Sequence, residues 1–555
     1  MQESIHGSLS TLIELSKSAH PEAALECTRL EKLREQLLAC CPVKEKQPVC
    51  EYQPCALPEP AFSPIPSRSA TAPPNTVCDA PFPHFEIEAE GQEDELVNNN
   101  GLPPVSNGPL RGSLAPTWPA MSIFRPEDFS RPDGGPGPLG AAPDGDPVVF
   151  GKNTPFGKTG GTPPDPSGAS SGKVVLTTGN TYASLSTDGG STFALLDPTT
   201  IFPSAPNKDS AGNLLDKGLC CDQVIQYVPG IDRFIWLMQF CGAGASCLQG
   251  ANRIRIAAAS PQDMINTAGT GWTYWDLVSP TFGGTLDYPD LAVGNNFLYL
   301  SCDVVGTGLQ VVRIPLQEIH DGVTINFNYT KASDSATAYG SHITQNTGDT
   351  VFWAGHNNNS QLQVFSWPES SGSYSPRNVN IDSWLSSDYS SLAPDGTNWL
   401  SFGFPEEQGL PAGGIIGAVR RPFVGLVAPD APPPAGEIWF AWTAGRGGGF
   451  PHPYVRLVRL NDSDFSVLQQ HQIWNSDHAY AYPCLATNSG GEVGISLAWG
   501  GNKKYYANHG VGIFGDLVIW ITATSDAALN RYGDSSASSG SRAAPGRMAQ
   551  LDVRY

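Results

Sequence analysis

The sequence predicts an all-β fold, and three observations lead there. Gly and Pro number 60 and 49 among 555 residues, so turn-forming residues are frequent. Charged residues make up 15% and aromatics 10%, a balance that suits sheet faces better than helices. From residue 146 onward, short apolar and aromatic runs alternate with turn signals, in six units that recur at roughly 40–75 residues.

Before that region the chain reads differently. Residues 1–41 are predicted to be helical. Leu9, Leu12, Ile13 and Leu15 form one apolar stripe, His20-Pro21-Glu22 marks a helix start, and Leu30, Leu33, Leu37 and Leu38 continue at helical spacing. A helical hairpin or short oligomerising coil is one reading; an amphipathic helix docked elsewhere or frayed is the other, since short helices need partners. Residues 42–145 read as a Pro/Gly/Ser-rich, largely disordered linker, too poor in apolar residues to offset the entropy of ordering. Cys40, Cys41, Cys50 and Cys55 lack the C-x2-C spacing of structural zinc sites and His84 is remote, so no metal is predicted there.

The six units follow between residues 146 and 534. The first holds a strand at 173–176 and a hairpin at 186–193. The second holds strands at 222–227, 233–238, 253–256 and 272–275, and the third at 288–293, 297–300 and 309–313. The fourth has 341–344, 351–354 and 363–367, the fifth 415–418, 438–442 and 454–457, and the sixth 482–486 and 493–497. Most open on a strand of small residues and pass through a short turn to an aromatic-rich strand. A narrow inner strand beside a broad second one fits the taper of a β-propeller blade. The predicted fold is therefore a β-propeller of six or seven four-stranded blades. A β-sandwich is the rival, and the repeated unit order counts against it. A strand at 147–150 is expected to help close the ring. Arg531-Tyr532-Gly533-Asp534 looks like a further opening, but the tail at 535–555 is low-complexity, so the last blade reads as incomplete.

The hairpin at 186–193 carries the clearest local signal. Asp188 is placed to accept hydrogen bonds from the amides of its own turn, and Gly189 and Gly190 supply positive φ. Ser186, Asp188, Gly190, Thr192 and Phe193 spell S-x-D-x-G-x-T-F, the Asp-box pattern. On this box and the unit openings, the chain resembles the sialidase-like, BNR-repeat propeller superfamily across residues 146–534. Cys220-Cys221-Asp222-Gln223-Val224, Tyr288-Pro289-Asp290-Leu291, the run from Trp353 to Asn359, and Arg531 to Asp534 look like members of that group without assigned chemistry. A working sialidase would need an arginine cluster, a Tyr–Glu pair and an acid/base carboxylate. The family's F-R-I-P motif has its nearest matches in Arg313-Ile314-Pro315, preceded by Val312, and in Phe124-Arg125-Pro126. The resemblance thus implies the fold more than the activity, and admits an extracellular setting.

Residues that open the inner strands line a propeller's channel and one rim. That makes Asp222, Asp290, His342 and Tyr482 candidate ligand-binding residues, with His356 in the Asn-rich loop after the fourth unit's second strand. Such residues also serve simply to cap strands and to bond neighbouring blades. Cys220 and Cys221 read as two buried thiols ahead of a vicinal disulfide, and Cys241 and Cys247 as a disulfide in an oxidising compartment. Cys302 and Cys484 complete the β-region cysteines. No P-loop, G-x-S-x-G or H-E-x-x-H occurs and no cofactor is predicted.

The formal charge of −21 argues against nucleic acid as a partner and permits cations or neutral sugars. No apolar run approaches the ~20 residues of a membrane span, and the first residues show no secretory signal. The function expected is a binding or interaction module for a glycan or a protein partner. The alternative is a glycan-active hydrolase or lyase that uses rim carboxylates.

Overall fold

A computed structural model of the chain describes residues 63–77, 167–180, 182–202, 208, 212–400, 414–422, 435–487, 491–514 and 518–521. The helical expectation for 1–41, the closing strand at 147–150, the opening at 531–534 and the tail lie outside them.

Three short strands come first: β1 (Ile65–Pro66), β2 (Arg68–Ala72) and β3 (Asn75–Val77). The first sheet contains β4 (Ser167–Ser171), β5 (Val174–Gly179), β6 (Tyr182–Ser186) and β7 (Ala194–Leu196). The second contains β8 (Val224–Val228), β9 (Arg233–Gln239), β10 (Arg253–Ala259) and β11 (Trp272–Val278), and the third β12 (Leu286–Val293), β13 (Phe297–Val304), β14 (Gly308–Pro315) and β15 (Ile325–Tyr329). The fourth contains β16 (Thr350–Asn358), β17 (Gln361–Pro368) and β18 (Ser373–Asn380). The fifth contains β19 (Gly417–Arg421), β20 (Glu437–Ala444), β21 (Tyr454–Asn461) and β22 (Val467–Ile473). The sixth contains β23 (Ala479–Thr487), β24 (Val493–Gly501), β25 (Tyr505–Ile513) and β26 (Val518–Ile521). Within each of the six sheets the strands from β4 to β26 pair antiparallel, each beside its sequence neighbour. The strand expected at 341–344 reduces to one bridge, Ile343 to Trp353, inside β16.

Successive sheets meet through their inner strands in chain order. The Ile225 amide of β8 donates to Ser167 Oγ of β4 at 2.9 Å. Parallel bridges join Gly294 to Gly348 and Gln345 to Val419, and β19 lies along β23. The core is divided accordingly into a series of sheet-to-sheet interfaces. Trp236, Phe202 and Trp272 fill the one between the first and second sheets, and Ile256, Leu298 and Phe327 the next. Trp353 and Phe365 stack between the third and fourth, Trp442 and Phe440 lie between the fourth and fifth, and Trp439 and Trp499 between the fifth and sixth. Large aromatics suit these wedges because they bury much area for two rotatable bonds. This is the radial arrangement of a β-propeller, not two facing layers. The described residues hold six such sheets.

The linker expectation needs correction near its start. β1, β2 and β3 pair with β18, β15 and β11, the outer strands of the fourth, third and second sheets. Residues 63–77 therefore form a strap across three sheet edges. Backbone pairing holds it, with a few small apolar residues lowered into the interfaces it crosses: Ile65 into one, Ala70 and Ala72 into the next, and Val77 into the last. Only Ala72 is buried. No helix among the described residues is long and apolar enough to cross a membrane.

Candidate functional site

The S-x-D-x-G-x-T-F run forms the turn from β6 to β7. Asp188 Oδ1 accepts from the Ser191 and Thr192 amides at 2.8 and 2.9 Å and from Ser186 Oγ at 2.8 Å. Asp188 Oδ2 accepts from Thr192 Oγ1 at 2.7 Å, and Ser186 Oγ accepts from the Gly190 amide at 2.8 Å. Gly189 and Gly190 have φ of +77° and +82°, and the Phe193 ring lies alongside Gly190. The Thr192 amide and hydroxyl, then Ser186, hold the Asp188 carboxyl far below the usual carboxylate range. Among the described residues its hydrogen-bond partners all belong to its own turn, which these bonds hold together.

Chemistry concentrates on β12. Tyr288 adopts a left-handed φ of +51°, and the register with β13 shifts between Asp287, opposite Asp303, and Asp290, opposite Ser301. Pro289 has no N–H to give to the ladder, which is why the strand bulges there. Tyr482 and Pro483 repeat the device on β23, with φ +53° and a register shift between Ala481 and Cys484. A left-handed tyrosine is strained backbone of the kind that gathers at ligand sites.

The bulge sorts the side chains into two tiers. Asp287, Tyr288 and Tyr339 are half-buried, while Asp290, Asp303 and His342 are buried beneath. Asp290 Oδ2 lies 3.6 Å from His342 Nδ1, and Asp290 Oδ1 accepts from the Leu291 amide at 2.6 Å. The Tyr288 ring overlies His342, centroids 5.1 Å apart. Asp303 accepts from the Gly340 amide with both oxygens, at 2.9 and 3.1 Å. Burial nonetheless pushes its carboxyl well above the usual range, and the nearby Asp287 adds to the rise. The Tyr339 hydroxyl is raised by burial and by the same two aspartates. Gln239 Nε2 donates to Asp287 Oδ1 at 2.8 Å and reaches the Cys221 sulfur at 3.9 Å. Gln239 Oε1 and Ser301 Oγ are buried with no hydrogen-bond partner among the described residues.

Of the expected residues, the structure brings Asp290 and His342 together. Asp222 holds a left-handed φ of +46°, and its amide donates to Asn180 Oδ1 of the first sheet at 2.9 Å. Tyr482 faces Trp399, with centroids 6.4 Å apart, and its amide donates to Thr443 Oγ1. His356 is corrected: it lies within β16, not in a loop, buried against Trp384 and Trp442 at 4.7 and 4.8 Å. Cys220 and Cys221 are corrected too, being joined as a vicinal disulfide; Cys241 and Cys247 are joined as well. Asp287, Asp303, Tyr288, Tyr339 and Gln239 were not singled out from sequence. The repeated Tyr-Pro dipeptide was the available signal for the first bulge.

No protein-family model and no curated protein matches the chain. Among solved structures it is similar to a leech intramolecular trans-sialidase, at 11% identity and TM-score 0.36, covering 63% of this chain and 67% of that one. A Trypanosoma rangeli sialidase matches at 10% identity and TM-score 0.31, covering 64% of this chain. The chain spans only about half of that enzyme, 52% of its length. The catalytic domain of a Coprinopsis cinerea GH62 α-L-arabinofuranosidase matches at 11% identity and TM-score 0.28, covering 58% and 96%. The side chains at the β12 bulge stand on their own geometry.

Proposed function

We propose that the β12 bulge and its surroundings form a saccharide-binding mouth, and that the protein is a recognition module. The observation that carries this is the two-tier arrangement. Half-buried Asp287, Tyr288 and Tyr339 offer acceptors and a stacking ring above the buried Asp290–His342 pair. Sugars are held in this way, by a few fixed polar groups beside an aromatic face. Unpartnered Gln239 Oε1 and Ser301 Oγ are further polar atoms that a ligand or water would satisfy.

The expected ligand is neutral or cationic. Arg253 and Arg255 are engaged by Asp216 and Asp276, Arg313 by the Pro368 and Ser371 carbonyls, Arg420 by Asp349 and Asp462, and Arg459 by Glu437. With these arginines committed elsewhere and acids at the mouth, an anionic sugar has little to bind.

Hydrolysis is the second reading, favoured by one observation. Asp303, whose carboxyl burial raises well above the usual range, faces Asp287 across the β12–β13 register, and two carboxyls side by side are the usual acid/base equipment of glycosidases. A glycan array followed by calorimetry tests the first reading. Binding without turnover, weakened tenfold or more in Asp287→Asn and Tyr288→Ala, is expected. Release of dye from fluorogenic glycosides by wild type, lost in Asp287→Asn, replaces it with the second. No binding and no turnover removes both.

A further inference from the structure

Beside the second sheet lie sulfurs that the saccharide mouth does not use. The Sγ atoms of Cys220, Cys241 and Cys247 all fall within 4.8 Å of one another. We propose that these three cysteines, once reduced, form a thiolate site for a thiophilic divalent cation of the Zn2+ class, and that the two disulfides are its oxidised, metal-free state.

The backbone holds the three positions without help from the disulfides. Leu219 bridges Phe240, the Lys217 amide donates to Cys241 O at 3.0 Å, and the Cys241 amide donates to Gly218 O at 2.9 Å. The Cys220 amide donates to Gln239 O at 3.0 Å. These bonds fix Cys220 against Cys241. The loop that carries Cys247 is folded by its own bonds: Gly242 N to Cys247 O at 2.8 Å, Gly244 N to Gln249 O at 2.6 Å, and Ala243 N to Ala251 O at 2.7 Å. A Cβ on Gly242 would come within 2.2 Å of Gln249 O, and one on Gly244 within 2.6 Å, so only glycine permits this close winding. Opening either disulfide therefore leaves the loop in place.

The spacing suits a metal. A Zn–S bond of about 2.3 Å in tetrahedral geometry sets sulfurs about 3.8 Å apart. Sulfurs that start within 4.8 Å reach that by side-chain rotation alone. Lys217, whose ammonium donates to Gly244 O, adds a positive charge to the loop that carries Cys247. A dithiol reductant gives two electrons and two protons to each disulfide and becomes a disulfide itself. The cation then displaces the protons of Cys220, Cys241 and Cys247, and water takes the fourth position. Cys221, outside the trio, remains a thiol.

The test uses the full chain, reduced with a phosphine so that no added thiol competes, and titrated with Co2+. One equivalent should bind, with the charge-transfer absorption of cobalt–thiolate bonds, and Zn2+ should bleach it. Cys247→Ser should weaken binding at least tenfold, while Cys221→Ser, Cys302→Ser and Cys484→Ser keep it. A second measurement needs no variant: Zn2+ should protect Cys220, Cys241 and Cys247 of the reduced wild type from maleimide, mapped by mass spectrometry. No Co2+ uptake, no protection of these three, or binding lost in Cys221→Ser would overturn the assignment.

Discussion

The second, third and fourth sheets differ from the first, fifth and sixth at their outer edges. The former take a strand of the strap as their rim, whereas the latter end, among the described residues, on their own last strands β7, β22 and β26. An unpaired edge offers free N–H and C=O groups to any other chain. The strap fills that role in cis for three consecutive sheets, and it does so with backbone bonds more than with buried side chains. The comparison teaches that one half of the propeller is edged by a distant segment, whereas the other half, among the described residues, shows only its own strands at the edge.

Four changes would break or sharpen that contrast. The largest effect is expected where the strapped and unstrapped halves meet. Trp442 is fully buried against Trp384 and His356, and Trp442→Ala should cost about 3–5 kcal/mol, read from chemical denaturation. Hydrogen exchange should quicken in β20 and leave β15 unchanged. Next comes Ala72→Asp, which sets a carboxylate into the interface that Ala72 shares with Ile325 and Leu286. A loss of about 2–3 kcal/mol is expected, together with faster exchange at Ile325 to Tyr329 only. Uniform loss of protection across all six sheets would mean that the strap supports the whole propeller and the contrast is false.

The third change is acid. Burial, with Arg459 nearby, lowers His471 to about 4 from an ordinary 6.5. Burial likewise lowers His478 to about 4, opposed by Asp477 and assisted by His452 and Lys504. Between pH 6.5 and 4 the unfolded chain binds protons that the folded chain does not. Their contribution is thus present above 6.5 and lost as the pH falls through that window. Asp303, in the strapped half, has the opposite sign: its folded value is raised, so its contribution holds at low pH and fades as pH rises through the folded value. Exchange measured at about pH 5 against pH 7.5 should therefore quicken in β22 and β23 before β13. His471→Gln should remove part of that acid sensitivity. Asp188→Ala is the mildest change: the Ser191 and Thr192 amides should exchange faster with the global midpoint unmoved.

What could be read from the chain alone follows from where each signal is stored. The turn at 186–193 is local, since Ser186, Asp188 and Thr192 bond to one another, and its residues announce it in sequence. Strands such as Arg233–Gln239 and Glu437–Ala444 carry their aromatic runs in sequence. The strap does not. Pro64, Pro66, Pro73 and Pro74 surround small residues, a composition that reads as linker. Prolines are tolerated at a sheet edge because an outward N–H needs no partner. His356 was read as loop because Asn357, Asn358 and Asn359 resemble a turn, yet β16 continues to Asn358 before turning into β17. Asp287 and Asp303 meet only through the β12–β13 register, and no local pattern announces a cross-strand pair.

The strap also sets an order of events at the ribosome. It passes from the fourth sheet to the third and then the second, against the order in which those sheets are synthesised. Ser67 donates twice to the carbonyl of Gly372, 305 residues downstream. At about 5–20 residues per second, the first part of the propeller to be made waits some 15–60 s for its last partner. For most of that interval the strap's own strands are without their partners, and a chaperone has its clearest opportunity to bind there.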